Sequence, residues 1–171
     1  MKNLSEMTDE ELALAYADGN NKAFDLLLSR NQSKLFSYIL FVVRDREKAE
    51  DVFQETFVKV ISKLQQGRYA TTGKFGAWLV RIAHNVIMDS YRERRSEKVV
   101  EPADNNDLSN LGNDELLDTN IECKYVNDQV MRDVKKIMNL LPTPQREVVY
   151  MRYYQQLSFK EIAECTNVSI N

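Results

Sequence analysis

Apolar residues recur at steps of three and four along much of the chain, which is the spacing of one face of an α-helix. Over residues 23–43 the pattern is carried by Phe24, Leu27, Leu28, Leu35, Ile39 and Val42. A second stripe follows an N-cap at Asp45 and reaches Leu64, and a third occupies residues 75–94. Only five of the 171 residues are glycine and three are proline, which favours long helices over turn-rich strands. The sequence therefore predicts an all-α protein.

Helix starts and ends are marked by residues that satisfy free backbone groups. Thr8 and Glu11 have the spacing of a capping box, and the helix that they open should end near Gly19. Further on, Thr143 is expected to be an N-cap, with Pro144 at the first helical position, where its missing N–H is harmless.

The last fifteen residues carry the pattern of a helix-turn-helix. Ser158 and Glu161 form another capping box, and Asn167 stands where the turn needs a left-handed residue. Ser169 would cap a second helix, the one that normally reads bases in the major groove. Only Ile170 and Asn171 of that helix are present, so we expect an incomplete DNA reader.

Charge divides the chain into three blocks. Residues 1–95 and 123–171 each carry a net charge of +2, whereas residues 96–122 have one basic and eight acidic side chains. The acidic block lacks sustained helical periodicity and contains Pro102 and Gly112, which is typical of a flexible linker. We therefore predict two small helical domains, 1–95 and 123–171, joined by a flexible acidic linker over 96–122.

Composition argues against several classes of protein. With His84 as its one histidine, the chain cannot form a histidine-pair metal site, and glycine-rich phosphate loops are absent, so we expect no enzyme, no metal and no cofactor. Cys123 and Cys165 lack CxxC spacing, which favours idle thiols in a reducing cytoplasm. The N-terminus has no apolar signal segment and no run long enough to cross a bilayer, so no membrane insertion is expected.

Two polar faces are candidates for binding. Asp51, Gln54 and Glu55 share one side of the predicted third helix, where acceptors and a donor suit arginines on a partner helix. On the fourth helix a second face combines cations for phosphates with an amide and an aromatic ring, the side chains that single-stranded DNA requires. Trp78 is also explained by packing in the core, and His84 by a surface or helix-packing position.

Three motifs, in order, resemble the extracytoplasmic-function sigma factors of bacterial RNA polymerase. The D-x-x-Q-E-x-F pattern at residues 51–57 is similar to region 2.2 of that family. The F-x-x-W-L-x-R-I-A-x-N-x-x-x-D-x-x-R pattern at residues 75–92 is similar to regions 2.3 to 2.4. Residues 141–163, with Leu-Pro-x-x-x-Arg-Glu-Val and Leu-Ser-x-x-Glu-Ile-Ala, resemble region 4.

The resemblance implies an alternative sigma factor that binds core RNA polymerase and promoter DNA. Asp51, Gln54 and Glu55 would bind the core enzyme, and residues 1–95 would melt the −10 element. The residues expected to bind DNA are Trp78, Arg81, Asn85, Met88, Arg92, Arg94, Arg95, Arg146 and Arg152. The linker would thread the active-site cleft of the polymerase as an RNA mimic, although solubility and spacing explain its charge equally well. An anti-sigma factor completes the expected partners.

Two other classes of function stay open at this point. A stand-alone helix-turn-helix regulator would bind duplex DNA as a dimer and would not need to hold core polymerase. A nuclease would use Asp51, Glu55 and a metal ion, which the lack of further clustered carboxylates disfavours.

The incomplete helix-turn-helix leads to an expectation about the C-terminal segment. Without its partner helix, residues 157–171 should be mobile or depend on a neighbouring molecule for order, and Ile162, Val168 and Ile170 should be left partly exposed. In the resembling family region 4 reads the −35 element, and that base-reading surface would be absent here. The chain should therefore still bind core polymerase but show no preference between duplexes with and without a −35 site.

Overall fold

The computed structural model describes residues 3–70, 74–97, 133 and 136–169. All regular structure in these residues is helical, which confirms the all-α prediction. A 3₁₀ turn at Leu4–Glu6 precedes α1 (Asp9–Ala17), α2 (Asn21–Val43), α3 (Arg46–Gln65), α4 (Phe75–Glu97), α5 (Thr143–Tyr153) and α6 (Phe159–Thr166). Residues 136–140 are also helical. In the described part of the chain, no helix has the length and apolar character needed to cross a membrane.

Helix starts follow the predicted caps closely. The Thr8–Glu11 and Ser158–Glu161 capping boxes are both formed, and the Asp45 carboxylate accepts a hydrogen bond from the backbone N–H of Lys48. Asn167 ends α6 in the left-handed conformation, with φ of 57°. These predictions are confirmed.

Two boundaries differ from the sequence prediction. Pro142 is the N-cap of α5, so the helix begins one residue earlier than expected, with Thr143 as its first residue. Helix α4 continues through Glu97, three residues beyond Arg94. The linker predicted over residues 96–122 therefore begins with two helical residues, and the remainder of it lies outside the described residues.

The core of the N-terminal module, which comprises residues 4–97, is built around α2. This helix packs against α1, α3 and α4, and α3 packs in turn on α4. The apolar stripe of α4 faces inward, as its spacing predicts, and buries Leu79, Ile82, Val86 and Ile87. The opposite face of α4 is thereby left to solvent, and that is the face with the candidate DNA-binding residues.

The C-terminal module, residues 136–169, packs directly on the N-terminal one. Helix α5 contacts α2, and α6 contacts α4. Ile162 is only 3% exposed, so the expectation that it would be partly exposed is wrong: α4 covers the apolar side of α6. Val168 is 63% exposed, as expected, and Ile170 lies outside the described residues.

Candidate functional site

The acidic face of α3, formed by Asp51, Gln54 and Glu55, is exposed as its helical spacing predicts. The buried side of the same helix carries Val52 and Thr56, which fix the orientation of the face. Glu55 Oε1 lies 3.0 Å from Lys59 Nζ one turn further on. Side chains this exposed gain little from such a pair, so the carboxylate is available to a partner.

The basic stripe of α4 consists of Arg81, Asn85, Met88 and Arg92, at steps of four, three and four. Arg81, Asn85 and Arg92 are exposed and Met88 is half-buried. This spacing places the four side chains on one side of the helix, opposite Ile82 and Val86. The structure thus brings an amide and two guanidinium groups together in a row of about three helical turns.

Charges connect the acidic face to the basic stripe. Lys59 Nζ also lies 3.8 Å from Asp89 Oδ2, and Asp89 Oδ1 accepts from Arg92 at 3.3 Å. The side chains are between 39% and 79% exposed, so water and salt screen these pairs. The connection positions the side chains without holding them rigidly.

Trp78 lies at the edge of the core and not on the open stripe. Its ring packs against Tyr69, with 4.9 Å between centroids, and against Phe75, with 5.6 Å. The residue is half-buried and lines a cleft of about 490 Å³ between α4 and α6. Arg81 lines the same cleft, together with Lys160 and Cys165 from α6.

The end of α4 carries the remaining cations predicted to bind DNA. Arg95 is exposed and Arg94 is half-buried. Both lie in the last turn of the helix, where positive charge interacts favourably with the helix dipole. Their placement fits both a DNA contact and a solvated helix end.

Arg146, also expected to bind DNA, is only 2% exposed. Its guanidinium donates to the carbonyl oxygen of Val42 at the end of α2 and to Thr143 Oγ1, both at 3.3 Å, and it lies 5.5 Å from the centroid of Phe41. Burial lowers the pKa of Arg146 to about 10, and the charge of nearby Arg44 acts in the same direction. In this arrangement DNA cannot reach the side chain.

Arg152, in contrast, is exposed on α5. It donates to the carbonyl oxygen of Leu157 at 3.0 Å, and its guanidinium lies 4.9 Å from the centroid of Phe159. These contacts join α5 to α6 within the helix-turn-helix. The two arginines of region 4 thus have different environments.

His84 is buried, and its Nδ1 lies 2.5 Å from Oε1 of Glu147 in α5. The Tyr38 hydroxyl of α2 donates to the same oxygen. Of the two positions expected for His84, the structure selects helix packing. Sequence reasoning missed this cluster, because His84 and Tyr38 lie 63 and 109 positions before Glu147 in the chain.

Within the described residues, no group of three or more His, Cys, Asp or Glu side chains is placed to hold a metal ion. Asp51 and Glu55 point into solvent from one helix.

Comparisons with known proteins match both modules to one family. Residues 27–97 match the family model of Sigma-70 region 2, and residues 131–171 match that of Sigma-70, region 4. The first match includes the acidic face and the basic stripe, and the second includes Arg146, Glu147 and Arg152.

Relatives of known identity extend the match to nearly the whole chain. The RNA polymerase sigma-H factor of Pseudomonas aeruginosa is 29% identical over 94% of this chain and 83% of its own length. The ECF RNA polymerase sigma-E factor of Haemophilus influenzae is also 29% identical, over 93% of this chain and 84% of its own length. A solved structure of CnrH in complex with the cytosolic domain of CnrY superposes with a TM-score of 0.59, at 25% identity over 95% of this chain and 84% of CnrH. The chain belongs to the extracytoplasmic-function sigma factors, the alternative sigma factors that direct bacterial RNA polymerase to promoters to initiate transcription.

Proposed function

We propose that the acidic face of α3 binds core RNA polymerase and that the basic stripe of α4 binds and melts the −10 element. The chain would act as a non-catalytic subunit in the cytoplasm. The observation that carries this proposal is the separation of the two faces on adjacent helices of one packed module, which lets polymerase and DNA be held at the same time.

Exposure and charge support the acidic face as the protein interface. Asp51 and Glu55 offer two carboxylates one turn apart, with the Gln54 amide beside them. Arginines on a partner helix bind such a surface through charge-assisted hydrogen bonds, which are stronger than neutral ones. The bond from Lys59 to Glu55 can be exchanged for one from the polymerase at little cost, because both side chains are solvated.

The basic stripe has the chemistry of a single-strand binding surface. Arg81 and Arg92 supply positive charge for phosphates, and Asn85 between them supplies donors and an acceptor for a base edge. Half-buried Trp78 lines the same cleft as Arg81, where a displaced base can pack. These contacts would stabilise the melted strand relative to the duplex.

Promoter geometry requires the two modules to separate during initiation. Elements centred about 10 and 35 base pairs upstream of the start site are about 85 Å apart along B-DNA, at 3.4 Å per base pair. In the structure α6 packs against α4, with Cys165 Sγ 3.5 Å from the carbonyl oxygen of Ala77. We call this packed arrangement of the two modules the closed state. The −10 and −35 surfaces would therefore be used together only in an open state.

We also propose that the chain binds an inhibitory protein, an anti-sigma factor. Support comes from CnrH, which was solved in complex with the cytosolic domain of CnrY. The cleft between α4 and α6 has apolar and charged walls from both modules, which gives such a partner a way to contact both at once.

Promoter opening tests the basic stripe. Arg81→Ala and Asn85→Ala should each reduce opening by about 1–3 kcal/mol, while binding to core polymerase is unchanged, because these side chains belong to α4 and the acidic face belongs to α3. Permanganate reactivity of −10 thymines measures opening on a promoter selected with the wild-type complex. Arg46→Ala and Gln32→Ala, at exposed positions of α3 and α2, are the controls. Normal opening by both stripe variants would exclude the stripe as the melting surface.

The stand-alone helix-turn-helix regulator, which the sequence left open, is set aside because the N-terminal module as well as the C-terminal one matches the sigma-factor family.

A further inference from the structure

One carboxylate lies at the centre of the contact between the two modules. Glu147 of α5 is 2% exposed. Its Oε1 accepts a hydrogen bond from the Tyr38 hydroxyl of α2 and lies 2.5 Å from His84 Nδ1 of α4. Tyr38 is fully buried and His84 is 7% exposed. A carboxylate can only accept hydrogen bonds, so both of these neighbours act as donors to it.

Other polar contacts surround this cluster and also cross the module boundary. Arg146 next to it donates to the Val42 carbonyl oxygen, and Arg44 Nη2 donates to the Asn139 carbonyl oxygen at 2.8 Å. At the other end of the contact Lys74 pairs with Glu161. Among these, Glu147 is the carboxylate that is removed from water.

A buried carboxylate is tolerated only when hydrogen bonds replace its hydration. Both donors to Glu147 belong to the N-terminal module, so they are available only while the modules are packed. Separation returns Glu147, Tyr38 and His84 to water, which satisfies each of them again. The contact is therefore reversible, and loss of one donor penalises the closed state alone.

The closed state restricts access to one residue expected to bind DNA and keeps the two modules together. Arg146 is enclosed between α5 and α2, and α6 forms one wall of the cleft that Arg81 lines. We propose that Glu147 is a latch that holds the two modules in a closed state, inactive toward promoters, until core polymerase separates them. The inference rests on the proposed function, which requires the modules to separate.

Cys165 provides a direct measure of opening. Its Sγ donates to the carbonyl oxygen of Ala77 across the module boundary, and the residue is 4% exposed. Burial raises the pKa of the thiol to about 11. Alkylation requires the exposed thiolate, so the closed molecule reacts only through its open fraction.

The test compares alkylation rates of Cys165 in a Cys123→Ser background. Tyr38→Phe removes one donor to Glu147 and preserves the ring, and it should raise the rate about ten- to a hundredfold. Glu147→Ala should raise it by about a hundredfold or more, because both neighbours lose their acceptor. Tyr153→Phe, at a position that is 75% exposed on α5, should leave the rate unchanged.

A second thiol separates opening from unfolding. Val60→Cys in α3, at a fully buried position in a chain with Cys165→Ser, should show the same slow alkylation with and without Tyr38→Phe. Unchanged Cys165 rates in both latch variants, or an equal rise at Val60→Cys, would overturn the latch.

The latch and the proposed function fail differently. Binding of Tyr38→Phe to core polymerase should be tighter than that of wild type in proportion to the open fraction, because core polymerase binds the open state. Equal affinities of the two chains would refute release of the latch by core polymerase. Faster alkylation of Tyr38→Phe, with no binding of either chain to core polymerase, would refute the proposed function and leave the contact at Glu147 standing.

Discussion

Glu55→Lys is expected to weaken binding to core polymerase by about 2–5 kcal/mol, since truncating or reversing one member of a desolvated charge pair costs this much at protein interfaces. The variant should fold normally. Glu55 is exposed, and the repulsion between a lysine at this position and Lys59 one turn away is about 0.5 kcal/mol or less. Titration of labelled chain with core polymerase measures the change in Kd.

The control for this prediction is Asp25→Lys, the same change of charge at an exposed carboxylate of α2. It should bind core polymerase like the wild type, since Asp25 lies outside the acidic face. Equal Kd values for Glu55→Lys and wild type would remove α3 from the polymerase interface.

Arg146→Ala should lower the free energy of unfolding by about 2–4 kcal/mol and Tm by roughly 5–10 °C. The side chain is enclosed and holds the start of α5 to the end of α2 through the Val42 carbonyl oxygen. Arg146→Lys should recover little of the loss, because an ammonium group cannot bond to the Val42 carbonyl and Thr143 Oγ1 in the geometry of a guanidinium.

Arg152→Ala is the matched comparison on the same helix. Its guanidinium is exposed and donates a hydrogen bond to the carbonyl oxygen of Leu157, so a loss of about 1 kcal/mol is expected. Thermal unfolding followed by circular dichroism measures both variants. Equal changes in Tm would mean that Arg146 does not hold the closed state together.

Local patterns predicted the helices well because local interactions decide them. The capping boxes at Thr8 and Ser158 depend on residues three positions apart, and the left-handed turn at Asn167 depends on one side chain. The exposed faces of α3 and α4 followed from helical spacing for the same reason, since burial of one side leaves the other to solvent.

Local sequence patterns could not predict which helices pack against each other. Arg146 has the sequence context of a DNA-binding residue, yet the neighbouring α2 encloses it, and the spacing of α5 alone cannot show which helix covers it. Likewise, nothing in the positions of Tyr38, His84 and Glu147 along the chain indicates that they meet. The expected exposure of Ile162 was wrong because α4 takes the place of a partner within the helix-turn-helix.

Competition for core polymerase tests the central claim most directly, and it does not depend on knowledge of the promoter. Labelled chain is bound to the core enzyme and titrated with an unlabelled sigma factor, such as the sigma-H factor of Pseudomonas aeruginosa, to which it is similar. Binding should be saturable, with one chain per core enzyme, and the competitor should displace the chain completely, because both would occupy the same surface. Absence of binding, or binding that an excess of sigma-H factor leaves unchanged, would contradict it.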